Sequence, residues 1–114
     1  MAAERQKEPR TPVQTKEGID RLLGAKTEVV LDLAGEALTI ARLRDGGASF
    51  TTESGANDIE GGLTYVTNTV GPDGAPRQQH YENWSEGLCI QRGHGSTSQL
   101  RIDYLLDKAN ERVG

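Results

Sequence analysis

The chain has one cysteine, five aromatic residues and no long hydrophobic run, and each shortage narrows what it can be. The single cysteine, Cys89, excludes an intrachain disulfide and fits a reducing compartment. No apolar stretch approaches the roughly 20 residues that a membrane-crossing helix needs. The opening residues "MAAERQKEPR" lack the apolar core of a signal peptide. These absences predict a soluble protein, cytoplasmic or incorporated into an assembly formed there, with no contact to a membrane.

The aromatic residues are Phe50, Tyr65, Tyr81, Trp84 and Tyr104, and hydrophobic residues make up 34% of 114 positions. That length suits one domain. A domain this short buries only about two-thirds of its unfolded surface, so a core with few large side chains gains from the extra burial of a partner subunit. The composition therefore favours an oligomer or a component of an assembly.

Charge is unevenly spread. Residues 1–16 carry four bases (Arg5, Lys7, Arg10, Lys16) against two acids, whereas the whole chain has a net charge of −4. The body is acidic, which does not suit electrostatic capture of nucleic acid. Direct nucleic-acid binding is not expected. The polar segment 1–16, with Pro9 and Pro12, reads as a flexible or partner-bound arm, and residues 17–114 as a single small domain.

Along that domain, "TKEGIDRLLG" predicts a short helix with Thr15 as N-cap and Gly24 as stop. In "TEVVLDLAGEALTIARLR", Val29, Leu31 and Leu33 alternate with polar residues, and so do Leu38 and Ile40 around Thr39. This is a β-hairpin turning near Gly35. A helix over Gly35–Arg44 is the rival, and the β-branched pairs Val29-Val30 and Thr39-Ile40 favour the hairpin. Residues 45–62 read as a long Gly/Ser/Thr loop with Phe50 as its one large anchor. A second hairpin joins Leu63–Val70 to Arg77–Trp84 through "GPDGAP". Last, Ile102, Leu105, Leu106, Ala109 and Val113 follow helical spacing after a Ser98 cap, although Leu100, Ile102 and Tyr104 also alternate as a strand would. The expected fold is α+β: a small antiparallel sheet of two hairpins, a C-terminal helix packed on it, and an N-terminal arm.

Chemistry-bearing residues are few. If a helix starts near Ser98, "RGHGSTS" offers Arg92, the close-approach glycines Gly93 and Gly95, and the hydroxyls of Ser96, Thr97 and Ser98 to a phosphate at the helix N-terminus. The stretch lacks the Gly-Lys-Ser/Thr of a P-loop and the third glycine of the dinucleotide fingerprint. His80, Cys89 and His94 are too few and too dispersed for a structural zinc site. Cys89 with His94 has no third group to orient a nucleophile and base. Between Leu88 and Ile90, the cysteine reads as a small buried hydrophobe. Glu82 and Glu86 flank Trp84 and would share one face of a strand, but two acids in an acidic chain are weak grounds for sugar chemistry.

No metal, cofactor or catalytic constellation is expected. The leading expectation is a non-enzymatic structural or interaction subunit of a larger assembly, with protein partners or self-association. Small virion head, tail or decoration components and accessory subunits of bacterial complexes share this general look. The expected contact residues are Arg5, Lys7 and Arg10 of the arm, Phe50 of the loop, and Trp84. The alternative is a small phosphate-ligand-binding or enzymatic domain built on Arg92–Ser98.

Overall fold

A computed structural model of the chain describes residues 8–55 and 61–113. Its first helix, α1 (Pro12–Leu23), starts well inside the expected arm. Pro12 at the first helical position costs no hydrogen bond, because that N–H has no intrahelical partner anyway. Thr11, not Thr15, is the N-cap: its hydroxyl accepts from the Gln14 backbone N–H, and the Gln14 side chain accepts from the Thr11 backbone N–H. Thr15 is buried, one turn above Ile19 and two above Leu23. Gly24 ends the helix with φ 58°, a conformation that glycine adopts without strain.

Six strands follow as one antiparallel meander in sequence order: β1 (Glu28–Leu33), β2 (Glu36–Arg42), β3 (Ala48–Gly55), β4 (Gly62–Val70), β5 (Pro76–Ser85) and β6 (Leu88–Ser96). The helix α2 (Gln99–Val113) closes the chain. The fold is thus α+β, with a longer sheet than two hairpins supply. The segment 35–44 is strand and turn, and the helical reading of Gln99–Tyr104 is the right one. Ser98 caps α2 through a 3.2 Å hydrogen bond from the Arg101 backbone N–H.

Two expected non-strand segments are strands. Residues 48–55, read as loop, form β3, which is paired on both sides. Part of that expected loop, residues 56–60, lies outside the described residues. Most of the "RGHGSTS" stretch, read as a turn before a helix, lies instead in the edge strand β6, joined to β5 by a turn with positive φ at both Glu86 (54°) and Gly87 (81°).

Both helices cover one face of the sheet. Ile19 and Leu23 of α1 and Ile102, Leu105, Leu106 and Ala109 of α2 share a core with Leu38, Ile40, Ala48, Phe50 and Val70. Phe50 is therefore a central core residue with no exposed surface, not a contact for partners. The expected arm is also tied in from Arg10 onward. The Arg10 backbone N–H donates to Asp103, and its guanidinium pairs with Asp107 at 2.8 Å. Gln99 donates to Thr15 and to Asp103, and Arg42 pairs with Asp20 on α1 at 2.8 Å.

Candidate functional site

Because side chains on a strand alternate between faces, strand register sorts the sheet into cross-strand rows. On the face opposite the helices one row runs Val30, Thr39, Thr51, Thr67, His80, His94. The next runs Asp32, Ala37, Glu53, Tyr65, Glu82, Arg92, and a shorter one runs Leu63, Trp84, Cys89. No residue in these rows is buried.

The face has two halves of different character. Over β2 and β3 it is mostly low, with Ala37, Thr39, Ala41, Ser49 and Thr51, and larger side chains stand at Glu53 and, on β1, at Val30 and Asp32. Over β4–β6 it is tall, with Leu63, Tyr65 and Trp84 around a concavity of about 480 Å³ that Gly61, Glu86 and Gly87 help to line. The tall half is held in place by polar bonds. Glu82 accepts from His80 Nε2 through one oxygen and from Trp84 Nε1 through the other, both at 2.9 Å. The His80 bond first, and the indole N–H second, hold the Glu82 carboxyl below its ordinary range. The bond to Glu82 restrains the indole's rotation, and Tyr65 lines the same concavity. Arg92, the register partner of Glu82, has its guanidinium held above its usual value by the Cys89 sulfur first and by Glu82 after it.

The structure distributes the expected site residues rather than gathering them. Arg92 faces the open side of the sheet with Glu82. Gly93 lies under the Tyr81 ring on the helix-covered side, where a β-carbon would collide with the phenol. Gly95 and Ser96 belong to the edge strand β6. The Thr97 hydroxyl donates to Asn68 at 2.7 Å, and Ser98 caps α2. These residues form no single anion-binding turn. Cys89 is half-buried rather than enclosed, with its sulfur 3.6 Å from the Gln91 carbonyl. Five positions along an extended strand separate it from His94 by roughly 16 Å, so the two make no nucleophile–base pair. His80 and His94 are register partners. Among the described residues no group of three or more His, Cys, Asp or Glu side chains converges on one point. Glu86 sits in the β5–β6 turn rather than on the strand face with Glu82. Of the expected contact residues, Arg5 and Lys7 lie outside the described residues, Arg10 is engaged with α2, Phe50 is in the core, and Trp84 stands on the open face.

Sequence reasoning singled out Trp84 with Glu82 beside it, considered His80 only as a metal ligand, and missed Leu63 and Tyr65. The signal was available: His80, Glu82 and Trp84 recur at every second position, as one face of a strand does, and Leu63 and Tyr65 do the same in the preceding strand.

The fold and this face define a class: a small α+β domain whose antiparallel sheet is covered on one side and open on the other. No protein-family model, curated protein or solved structure matches the chain. Among the described residues no helix is long and apolar enough to cross a membrane.

Proposed function

We propose that the protein is a non-enzymatic interaction subunit that self-associates through the open face of its sheet. The observation that carries this reading is the division of that face into a low half and a tall half. Under a two-fold rotation, the Leu63–Tyr65–Trp84 relief of one copy meets the Ala37–Thr39–Ala41 floor of the other, and the reverse contact forms by symmetry. Charge follows the same logic. The row that contains Tyr65 begins with Asp32 and ends with Arg92, with Glu53 and Glu82 between them. Two such rows laid antiparallel bring opposite charges together.

The size is adequate. Six strands about 4.8 Å apart and some seven residues at about 3.4 Å give a face of roughly 24 by 24 Å. That is about 580 Å², near the ~600 Å² per partner at the lower end of stable interfaces. A tryptophan held by a hydrogen bond, here toward the β5–β6 turn end of the face, is a residue type enriched in hot spots.

Sedimentation equilibrium of the full chain tests the proposal. The wild type is expected to be a dimer at micromolar concentration, and Trp84→Ala a folded monomer in the same range. A wild type that stays monomeric throughout would remove the reading.

A further inference from the structure

The helix-covered face is only partly filled, and its empty part is polar. Following the rows outward from the core, Leu31–Leu38 continues as Thr52, Val66 and Tyr81, and Ile40–Phe50 continues as Asn68 and Gln79. A third row runs Glu36, Ser54, Thr64, Asn83. Together with Arg101 and Tyr104 of α2 these side chains enclose a groove of about 510 Å³. In a domain with so little apolar material, hydroxyls and amides on the inner face need a cause.

Much of the floor is internally ordered. Thr64 donates to Asn83 at 2.8 Å, and Asn83 donates to Gln91 at 3.1 Å. Asn68 is 1% exposed, and its carbonyl oxygen takes two donors, Gln79 at 2.9 Å and Thr97 at 2.7 Å. Its amide nitrogen donates to no protein atom among the described residues, although Asn68 lines the groove. No fully buried side-chain polar atom among the described residues lacks a partner, so this nitrogen keeps some access to the groove and can donate to an acceptor there. The α2 wall supplies positive charge. Arg101 lines the groove with its guanidinium 5.5 Å from the Tyr104 ring centre, while Lys108, 5.6 Å from the same ring, lines the adjoining hollow. Neither cation has a carboxylate partner among the described residues. The one acid of the groove, Glu36, shares its row with Ser54, four positions from Phe50 in the Asn68 row, or about 13 Å along the strand. The groove thus has a donor-rich, cationic end near Asn68 and the start of α2, and a hydroxyl-lined end with an acceptor at Glu36.

We propose that this groove binds a small hydroxylated organic anion, a sugar acid or sugar phosphate. Its charged head accepts from the Asn68 amide and Arg101, and its hydroxyls meet Ser54, Thr64 and Glu36. The site lies on the opposite face of the sheet from the self-association surface and does not depend on it.

The test is an NMR titration of the full chain, reading amide shifts, with gluconate, glucose 6-phosphate, inorganic phosphate and glucose as probes. Gluconate or glucose 6-phosphate is expected to shift Asn68, Tyr81 and Arg101 saturably, and which of the two binds identifies the head group. Arg101→Gln, an exposed position, is expected to weaken binding about tenfold, as loss of a charge-assisted hydrogen bond does. Asn68→Asp, which puts a repelling acceptor where the donor was, is expected to abolish it, and Trp84→Ala to leave it unchanged. The proposal is overturned if neither hydroxylated anion moves these resonances. It is equally overturned if inorganic phosphate binds as tightly as both, which would indicate an adventitious ion only. Unchanged affinity in Arg101→Gln would also overturn it, and that variant keeps the test decisive even if Asn68→Asp fails to fold.

Discussion

Phe50 and Trp84 are both large aromatics on strands of one sheet, yet they sit on opposite faces, and that decides what each does. Phe50 is enclosed by both helices. Phe50→Ala should therefore cost about 3–5 kcal/mol of folding stability, measurable as a large fall in urea midpoint. Trp84→Ala should leave the monomer's midpoint nearly unchanged while altering assembly. A mild effect at Phe50 would contradict its place in the core.

Glu82 carries a pH signature. Its folded-state pKa lies below the ordinary value of 4.5, chiefly through the His80 bond and then the Trp84 N–H. A depressed carboxyl contributes stability that is fully present above its unfolded pKa and is lost as pH falls through the folded one. Asp45 has the same sign, its carboxylate held down first by the Gly47 backbone N–H and then by Arg77. The stability gap between wild type and Glu82→Gln should accordingly be present at neutral pH and close below the ordinary carboxylate range. Urea melts of both proteins at about pH 7 and about pH 3 check this, and a gap that widens in acid would refute the assignment. Cys89 adds a simpler expectation. As a half-exposed thiol it should be alkylated stoichiometrically by iodoacetamide in the native protein, whereas a protected thiol would require unfolding first.

At the scale of elements, the sequence was legible where one signal dominated and opaque where two competed. The alternation of Val29, Leu31 and Leu33 and the helical spacing of Ile102, Leu105, Leu106 and Ala109 both survive into the structure, because each segment buries one face against the core. The turn chemistry of Gly71–Ala75 likewise holds β4 to β5, with the Gly71 N–H donating to the Ala75 carbonyl at 2.9 Å. β3 was missed because "ASFTTESG" is small and polar. It becomes a strand through pairing on both sides, which no local pattern displays. β6 was missed because its glycines read as a turn, whereas Gly93 is there to admit the Tyr81 ring, a contact made only across strands. Asn68 drew no notice for the same reason: its burial depends on Thr97, 29 positions away.

The start of α1 is the clearest correction and carries its own prediction. Deleting residues 1–11 removes the Thr11 cap, worth about 1 kcal/mol, together with the Arg10 link to Asp103 and Asp107. The truncated chain should melt cooperatively but at a lower temperature, and Arg10→Ala alone should reproduce part of the loss. Circular dichroism melts suffice, and an unchanged Tm in the truncation would show that these contacts add nothing.

At the scale of the whole molecule, a sheet covered on one side only leaves a choice between exposing its second face and pairing it. A two-fold pairing makes a demand that a heterologous contact does not: every contact appears twice, and each residue of a matched pair lies on the same chain. If rows of two copies run antiparallel, Arg92 at the β6 end of one lies against Asp32 at the β1 end of the other. Arg92→Glu should then weaken the dimer by roughly tenfold or more, because like charges meet at both symmetry-related positions, and Asp32→Arg should do the same. The variant carrying both changes restores opposite charges at both positions and should recover most of the wild-type affinity, even though each chain differs from the native one at two sites. Sedimentation equilibrium of the four proteins at one ionic strength measures this directly. Losses that simply add in the double variant would mean that the two charges do not face each other across the axis, and the face would then have to pair in another register or with another protein.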